Sequence, residues 1–258
     1  MTRPASRNSR QTRPSVPAKK NRQKRTLRRR LVYSAVSVIL LTGLFFTLPL
    51  FKIQSYEIKG TMYSDLGRLS EAATSLKGQN LFFYSAEDLL GEAAQDPYIE
   101  KLNISTSITG AAIIQVTEKK REYTLETNDV FLIMDRSGFV LEESLEVPDD
   151  VVIVTDTAGR IQPGQKLYKG TAKETLLLEF RRLMDLNLST IRFDGIDITN
   201  LEDIQLKYGG WTVEIGTRDQ LQTKMNQAIN ILKELKADDT GVIDLKFDTA
   251  PVIRKKQV

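Results

Sequence analysis

A run of 21 residues without a charged side chain begins at Leu31, directly after three consecutive arginines, and ends at Phe51. As an α-helix with a rise of 1.5 Å per residue, this run would extend about 31 Å, which matches a hydrocarbon core about 30 Å thick. A cleaved signal peptide has a shorter apolar segment followed by a cleavage site of small residues, and this sequence lacks that pattern. Residues 31–51 are therefore predicted to form a transmembrane helix that is not removed.

The charges of the chain are distributed unevenly around this run. Residues 1–51 contain twelve of the 37 Lys and Arg residues and none of the 33 Asp and Glu residues, so the remainder is acidic overall. The positive-inside rule predicts a single-pass protein with residues 1–30 in the cytoplasm and the remainder outside. Residues 1–30 have few apolar side chains, which predicts a disordered tail. Their charges indicate either a topology determinant or a site for anionic lipid or nucleic acid, and we favour the first, with no nucleic-acid partner.

The chain contains no histidine and no cysteine. Catalytic triads that depend on histidine and metal sites with histidine ligands are therefore excluded within this chain. The lack of cysteine is compatible with an external domain that does not use disulfide bonds. We expect no cofactor and no metal centre.

The residues that follow the apolar run predict a small module with the order strand, helix, helix, strand, strand. Asp65 or Ser64 is suited to cap the first helix, and Gly78 lies where a helix commonly ends. Ser85 opens the second helix with a variant of the capping box, and Pro97 ends it. The predicted elements are a strand over 51–58, helices over 65–76 and 85–95, and strands over 99–108 and 112–118.

From residue 122 onward the pattern is mostly that of β-strands with two packed helices. Asp135 and Gly138 favour a hairpin turn, and Thr217 with Gln220 forms a capping box for the second helix. Trp211 fits either an interface anchor or the core, and we favour the core. The predicted strands cover 130–134, 139–141, 151–154, 191–198, 204–208 and 211–215, and the helices cover 173–185 and 217–236, the second with a core stripe of Leu221, Met225, Ile229 and Leu232.

The chain closes on a stretch in which apolar and polar residues alternate. Ile243, Leu245 and Phe247 alternate with acidic and basic residues, which predicts a strand with one buried face. Two interpretations remain for this last strand: a core strand with a frayed end, or a docking edge for a partner. Pro251 favours an edge, because a residue without an N–H group is excluded from central strands.

Five short motifs, in this order and spacing, resemble those of the FtsQ/DivIB family of bacterial cell-division proteins. One difference from the usual pattern is Lys246, where an arginine is more common, and lysine would weaken a bidentate contact with a carboxylate. The motifs are GQNLF at 78–82, DPYI at 96–99, VTEK at 116–119, MDRSG at 134–138 and IDLKF at 243–247.

The resemblance implies an α+β protein with a polypeptide-transport-associated (POTRA) domain followed by a mixed, mostly β domain with packed helices. It further implies a protein without catalytic activity that lies in the cell membrane at the division septum. The implied organisation is a basic tail over 1–30, a membrane helix over 31–51, a POTRA domain over 52–121, a β domain over 122–250 and a short tail over 251–258.

The same resemblance implies which partners the chain binds and where. Family members bind the membrane-anchored coiled-coil proteins FtsL and FtsB/DivIC and link them to the enzymes of septal peptidoglycan synthesis. The FtsB-type partner docks mainly on the edge of the last strand. The residues expected to contact it are Lys246, Phe247, Asp248, Thr249, Ala250 and Val252.

Two alternatives from other classes remain open. Asp194, Asp197 and Asp203 form the densest group of carboxylates near predicted strands, and a pair of acids could hydrolyse cell-wall glycan. Asp194 followed by glycine is also a common turn, so solvated structural acids are the simpler interpretation. A POTRA-bearing transport component is the other alternative, but the strand array of a membrane barrel does not follow the module.

Overall fold

The computed structural model of the chain describes residues 19–46, 48, 51–82, 90–107, 109–127, 129–235, 239–247 and 250–256. The chain divides into two compact units, residues 1–52 and residues 53–258. The second unit contains two β-sheets. The architecture is α+β, with an apolar helix near the start of the chain and a mostly β body, as the sequence predicts.

Helix α1 (Lys19–Phe46) lies in the first unit. Its segment Leu27–Phe46 contains a window of 18 residues with a mean hydropathy of 1.5, and none of that window is buried within the protein. At 1.5 Å per residue these 20 residues extend about 30 Å, of which the uncharged residues 31–46 account for about 24 Å. A helix of this length can cross a hydrocarbon core with its three arginines at the headgroups. The helix ends at Phe46, five residues before the predicted end, because Pro49 cannot supply a helical N–H group and disfavours the helical conformation of the residue before it.

The start of α1 differs from the disorder predicted for residues 1–30. Residues 19–30 continue the helix, whereas residues 1–18 lie outside the described part of the chain. After Pro17, this segment consists mainly of Lys, Arg, Gln and Leu, which are good helix formers. Extending a helix that already exists also avoids the cost of nucleating a new one. The prediction of disorder rested on the few apolar side chains of residues 1–30 and did not consider that the following apolar helix could extend into them.

In the second unit, three strands of the described residues form the first sheet, in the order β1-β3-β2. Strand β3 pairs in parallel with β1 and antiparallel with β2. Helix α2 begins after Asp65, whose carboxylate accepts the N–H groups of Gly67 and Arg68, so the predicted cap is confirmed. The bounds are β1 Ser55–Lys59, α2 Leu66–Thr74, β2 Ile99–Thr106 and β3 Ala111–Glu118.

Of the helix predicted over 85–95, Gly91–Gln95 forms a 3-10 helix, and residues 83–89 lie outside the described residues.

The Glu118 carboxylate fastens the loop before α2 to the end of β3. It accepts the backbone N–H groups of Met62 (3.0 Å), Tyr63 (3.1 Å) and Ser64 (2.8 Å), and the Ser64 hydroxyl also donates to it. Burial alone would raise the pKa of Glu118, but the hydrogen bonds from Ser64, Met62 and Tyr63 outweigh it and lower this pKa. The carboxylate therefore stabilises the fold most when it is ionised.

Replacing Glu118 with glutamine should lower the free energy of unfolding by about 1 kcal/mol at pH 7. This value is small for hydrogen bonds to a charged group, because the Glu118 carboxylate is partly exposed. The folded-state pKa is depressed, so this contribution is complete above the unfolded pKa and is lost as the pH falls through the folded one. Thermal unfolding at pH 7 and pH 3 measures both effects, and the difference between wild type and Glu118→Gln should shrink at pH 3. Glu57→Gln, which alters an exposed ion pair with Lys59, is the control and should change little. Equal melting temperatures at pH 7 would contradict the assigned role.

The remaining nine strands of the described residues form the second sheet, in the order β12-β11-β10-β9-β8-β7-β4-β5-β6. The Asp135–Gly138 turn joins β5 and β6 as predicted, with Asp135 accepting the N–H groups of Ser137 and Phe139. The strands are β4 Tyr123–Thr127, β5 Val130–Met134, β6 Val140–Ser144, β7 Val152–Thr155, β8 Gly195–Asp197, β9 Ile204–Tyr208, β10 Trp211–Gly216, β11 Gly241–Asp244 and β12 Val252–Lys255.

Two amphipathic helices, α3 (Ala172–Leu186) and α4 (Leu221–Glu234), share one hydrophobic core with this sheet. Trp211 is buried, which confirms the core interpretation, and so is the predicted stripe of α4. The capping box expected before α4 is not formed. Thr217 is hydrogen-bonded to Asp219, and the helix begins only after Gln220, whose backbone is left-handed (φ 57°).

A candidate partner-binding edge

The end of the chain forms a hairpin of two strands where the sequence predicted one. Strand β11 pairs in parallel with β10 and antiparallel with β12, and β12 is the outermost strand of the sheet. The alternation stops at Lys246 because its N–H donates to the side chain of Asp244 (3.1 Å), which makes a turn. The predicted tail over 251–258 therefore contains an edge strand, and residues 245–251 connect the two strands.

The pairing of β12 fixes which of its backbone groups point outward. The Lys256 N–H donates to the Thr240 carbonyl (2.8 Å), so these residues face each other as a hydrogen-bonded pair. Along an antiparallel ladder such pairs alternate, which directs the backbone groups of Val252 and Arg254 toward β11. The N–H and C=O groups of Ile253 and Lys255 consequently face away from the sheet. They form an open edge that can accept another strand.

Strand β12 is held by backbone pairing and ion pairs and contributes no side chain to the core. All four of its residues are exposed, including Val252 at 52% and Ile253 at 44%. Arg254 pairs with Glu214 (3.2 Å), and Lys255 pairs with Asp239 (2.7 Å). Val252 and Ile253 thus present apolar side chains on opposite faces of this strand, beside two anchored cations, and no other strand of the described residues pairs with its outer side.

The residues predicted as partner contacts fall into different environments. Phe247 is 73% exposed, whereas Ile243 and Leu245 are buried, so Phe247 does not continue the buried face of β11. Lys246 forms ion pairs within the chain, and Ala250 is exposed in the connection. Asp248 and Thr249 lie outside the described residues.

Sequence reasoning missed Ile253, Arg254 and Lys255 as edge residues. A signal was available, since the β-branched pair at 252–253 directly follows Pro251. A proline followed by β-branched residues is typical of the start of an edge strand. The prediction instead placed the docking edge on the preceding strand, because the alternation of apolar and polar residues over 243–247 is longer.

Gly241 is a position in β11 at which a side chain would have no space beside β12. A Cβ atom there would meet the backbone oxygen of Arg254 and would lie 2.7 Å from the Trp211 ring. We predict that Gly241→Ala separates β12 from β11, because the Trp211 ring is fixed in the core and the exposed strand β12 is the neighbour that can move. Amide hydrogen exchange at Val252 and Arg254 should accelerate about tenfold or more, since both amides pair with β11. Gly159→Ala is the control, as a Cβ there meets nothing within 4 Å; equal protection in both variants would contradict the prediction.

The three aspartates considered for catalysis each have a structural partner. Asp194 accepts the Gly209 N–H (2.7 Å), Asp197 accepts the Thr199 N–H (3.0 Å), and Asp203 pairs with Lys246 (2.9 Å). Strands β8 and β9 are antiparallel, so Asp197 and Asp203 lie at one end of the pair and Asp194 at the other. The structure therefore does not bring these three carboxylates together into one site.

Comparison with known proteins places the chain among bacterial cell-division proteins. It is 30% identical over 243 residues to the cell division protein DivIB of Clostridium botulinum, covering 92% of this chain and 94% of that protein. It is 22% identical over 227 residues to DivIB of Clostridium tetani, covering 86% of each chain. Identity to the cell division protein FtsQ of Chloroflexus aurantiacus is 26% over 239 residues, covering 89% of this chain and 84% of that protein. No protein-family model matches the chain.

Proposed function

The chain belongs to the DivIB/FtsQ family of cell division proteins, and from this premise we propose that it is a non-enzymatic assembly protein of the division complex. It binds FtsL-like and FtsB/DivIC-like coiled-coil proteins at the septum and thereby helps to control septal peptidoglycan synthesis. Family membership and the open edge at the end of the chain support this function. The separate structural roles of the three aspartates give no support to the hydrolase alternative.

The proposed topology has one membrane crossing by α1, with the residues before Leu27 inside and the second unit outside. The length and hydropathy of Leu27–Phe46 support a crossing. The basic residues that precede it, without any acidic residue, support the orientation. Arg28, Arg29 and Arg30 would then lie at the cytoplasmic headgroups, where long basic side chains are favourable.

For the second unit we propose two functional domains. Residues 53–121, which contain the first sheet, act as the POTRA domain, and residues 122–256 act as the β domain. The order of strand and helical elements in the first part supports this assignment. The β domain is proposed to end at residue 256 and not at the predicted residue 250, because β12 pairs with the sheet.

The observation that carries the proposed binding function is the open outer edge of β12. A partner segment in extended conformation can add to the outward groups of Ile253 and Lys255 by strand addition. Phe247 and Val252, both exposed, supply apolar surface beside this edge. Backbone pairing would give affinity, and these side chains would give specificity.

The test is capture of the partner by the full chain. The chain is reconstituted in nanodiscs and mixed with the extracytoplasmic segment of the FtsB/DivIC-type protein from the same organism, alone and together with the FtsL-type segment. We expect a stable complex that is isolated by size-exclusion chromatography. A failure of both mixtures to form a complex would contradict the proposed function, as would turnover of purified peptidoglycan by the chain alone.

A further inference from the structure

Lys224 lies on the buried face of α4 and is only 6% exposed. Among the described residues, no carboxylate forms an ion pair with it at 4.0 Å or less. Its Nζ instead donates to two backbone carbonyls, those of Ile215 (2.9 Å) and Lys246 (3.4 Å). A buried lysine without an acidic partner is uncommon, because removing an ammonium group from water is costly. This position therefore requires a specific explanation.

The two carbonyls come from the ends of neighbouring parallel strands. Strands β10 and β11 run side by side, and the last ladder bond between them joins the Leu245 N–H to the Glu214 carbonyl (2.8 Å). Beyond this bond, Gly216 turns the first chain away with φ 73°, and Lys246 begins the connection to β12. The Lys224 ammonium thus binds carbonyls at the point where the pairing between β10 and β11 ends.

Each polar group of Lys246 contacts another residue of the chain. Its carbonyl accepts from Lys224, and its N–H donates to Asp244. Its ammonium pairs with Asp203 (2.9 Å) and Glu214 (3.5 Å), and the hydrogen bond that it donates to Asp203 raises the pKa of Lys246. The next residue, Phe247, points into solvent. The direction in which the chain leaves β11 is therefore set at Lys246.

We propose that Lys224 is a buried positioning residue that holds Lys246, and through it the C-terminal hairpin, in the conformation that the partner binds. Lys246 in this proposal is an internal pivot and not a contact of the partner, contrary to the expectation from its place in the terminal motif. The proposal rests on the proposed function, because it concerns the same edge. The partner contacts are then left to Phe247 and to the outer edge of β12.

An ammonium group suits this role better than an apolar side chain. A methionine of similar length would fill the space and leave the carbonyls of Ile215 and Lys246 without a donor, which carries a desolvation cost. An outward movement of the connection after Lys246 would bring that carbonyl into contact with water and relieve this cost. Loss of Lys224 should therefore loosen the hairpin and leave the core of α4 packed.

The first experiment measures the hairpin without any partner. In the full chain, Lys224→Met should accelerate amide exchange at Val252 and Arg254 about tenfold, while amides of β9 and β10 remain protected. Lys233→Met is the matched control, because Lys233 is an exposed lysine on the last turn of the same helix. Unchanged exchange at Val252 and Arg254 in Lys224→Met would overturn the proposal.

The second experiment measures binding kinetics with the FtsB/DivIC-type segment. A hairpin that is competent for only a fraction of the time lowers the apparent affinity by that fraction. Lys224→Met and Lys246→Gln should therefore lower the association rate constant about tenfold and leave the dissociation rate constant unchanged. Phe247→Ala removes a contact and should mainly raise the dissociation rate constant. A faster dissociation in Lys246→Gln would instead identify Lys246 as a partner contact and overturn its role as pivot.

The two proposals fail in distinguishable ways. If the wild-type chain does not bind the segment, the proposed function fails, and the exchange experiment still decides whether Lys224 holds the hairpin. If the wild type binds and Lys224→Met binds with unchanged rate constants, the positioning role fails and the proposed function stands.

Discussion

A chain that ends at Lys246 is expected to remain folded and to lose capture of the FtsB/DivIC-type segment by about a hundredfold or more. The deletion removes Phe247 and the whole of β12. The body should tolerate this loss, because all four residues of β12 are exposed and the core of the second sheet contains none of them. The melting temperature should fall by only a few degrees, as expected when few buried contacts are lost.

The matched control is a chain that ends at Lys255. It keeps Phe247 and all of β12 and loses only the last three residues, of which Lys256, the one that the structure describes, donates a hydrogen bond to Thr240. Capture by this chain should remain close to that of the wild type. If the chain ending at Lys246 captures the segment normally while its melting temperature is nearly unchanged, the edge of β12 is not the binding site.

Ile253→Pro should reduce capture by about tenfold to a hundredfold while leaving the fold intact. The Ile253 N–H points away from the sheet, so a proline there removes an outward donor without breaking the pairing between β11 and β12. Proline is tolerated on edge strands in this orientation. The ring would also obstruct an approaching backbone. Binding is measured by titration of the full chain with the segment, and folding is measured by thermal unfolding.

The control for this substitution is Ile253→Ala, which shortens the same side chain and keeps the N–H. The side chain is 44% exposed, so its loss should cost the fold little. The difference in affinity between the two variants then reports the outer backbone edge, namely the lost N–H group together with the obstruction by the proline ring. Equal capture by Ile253→Pro and Ile253→Ala would mean that the partner uses side chains and does not pair with the strand.

Local signals predicted much of the fold from the sequence. The cap at Asp65, the turn from Asp135 to Gly138 and the buried stripe of α4 depend on interactions within a few residues, and the structure confirms all three. The apolar run likewise predicted the helix near the start of the chain. Such features can be predicted because the interactions that stabilise them join residues that are close in the sequence.

The features that sequence missed depend on contacts between distant residues. The strand predicted at the end of the chain stops after Asp244, since the side chain of Asp244 captures the Lys246 N–H and Asp203 pairs with Lys246 from the start of β9. The role of Lys224 is invisible in a helical pattern, where a lysine is expected to face water. The edge status of β12 likewise depends on the order of all nine strands of the second sheet.

The central claim is that the partner adds a strand to the outer edge of β12, and single-residue amide exchange by NMR tests it most directly. In the free chain, the amide of Arg254 should be protected by β11, whereas those of Ile253 and Lys255 should exchange quickly. When the FtsB/DivIC-type segment is added, the amides of Ile253 and Lys255 should become protected and that of Arg254 should change little. Binding that leaves Ile253 and Lys255 in fast exchange would contradict the claim.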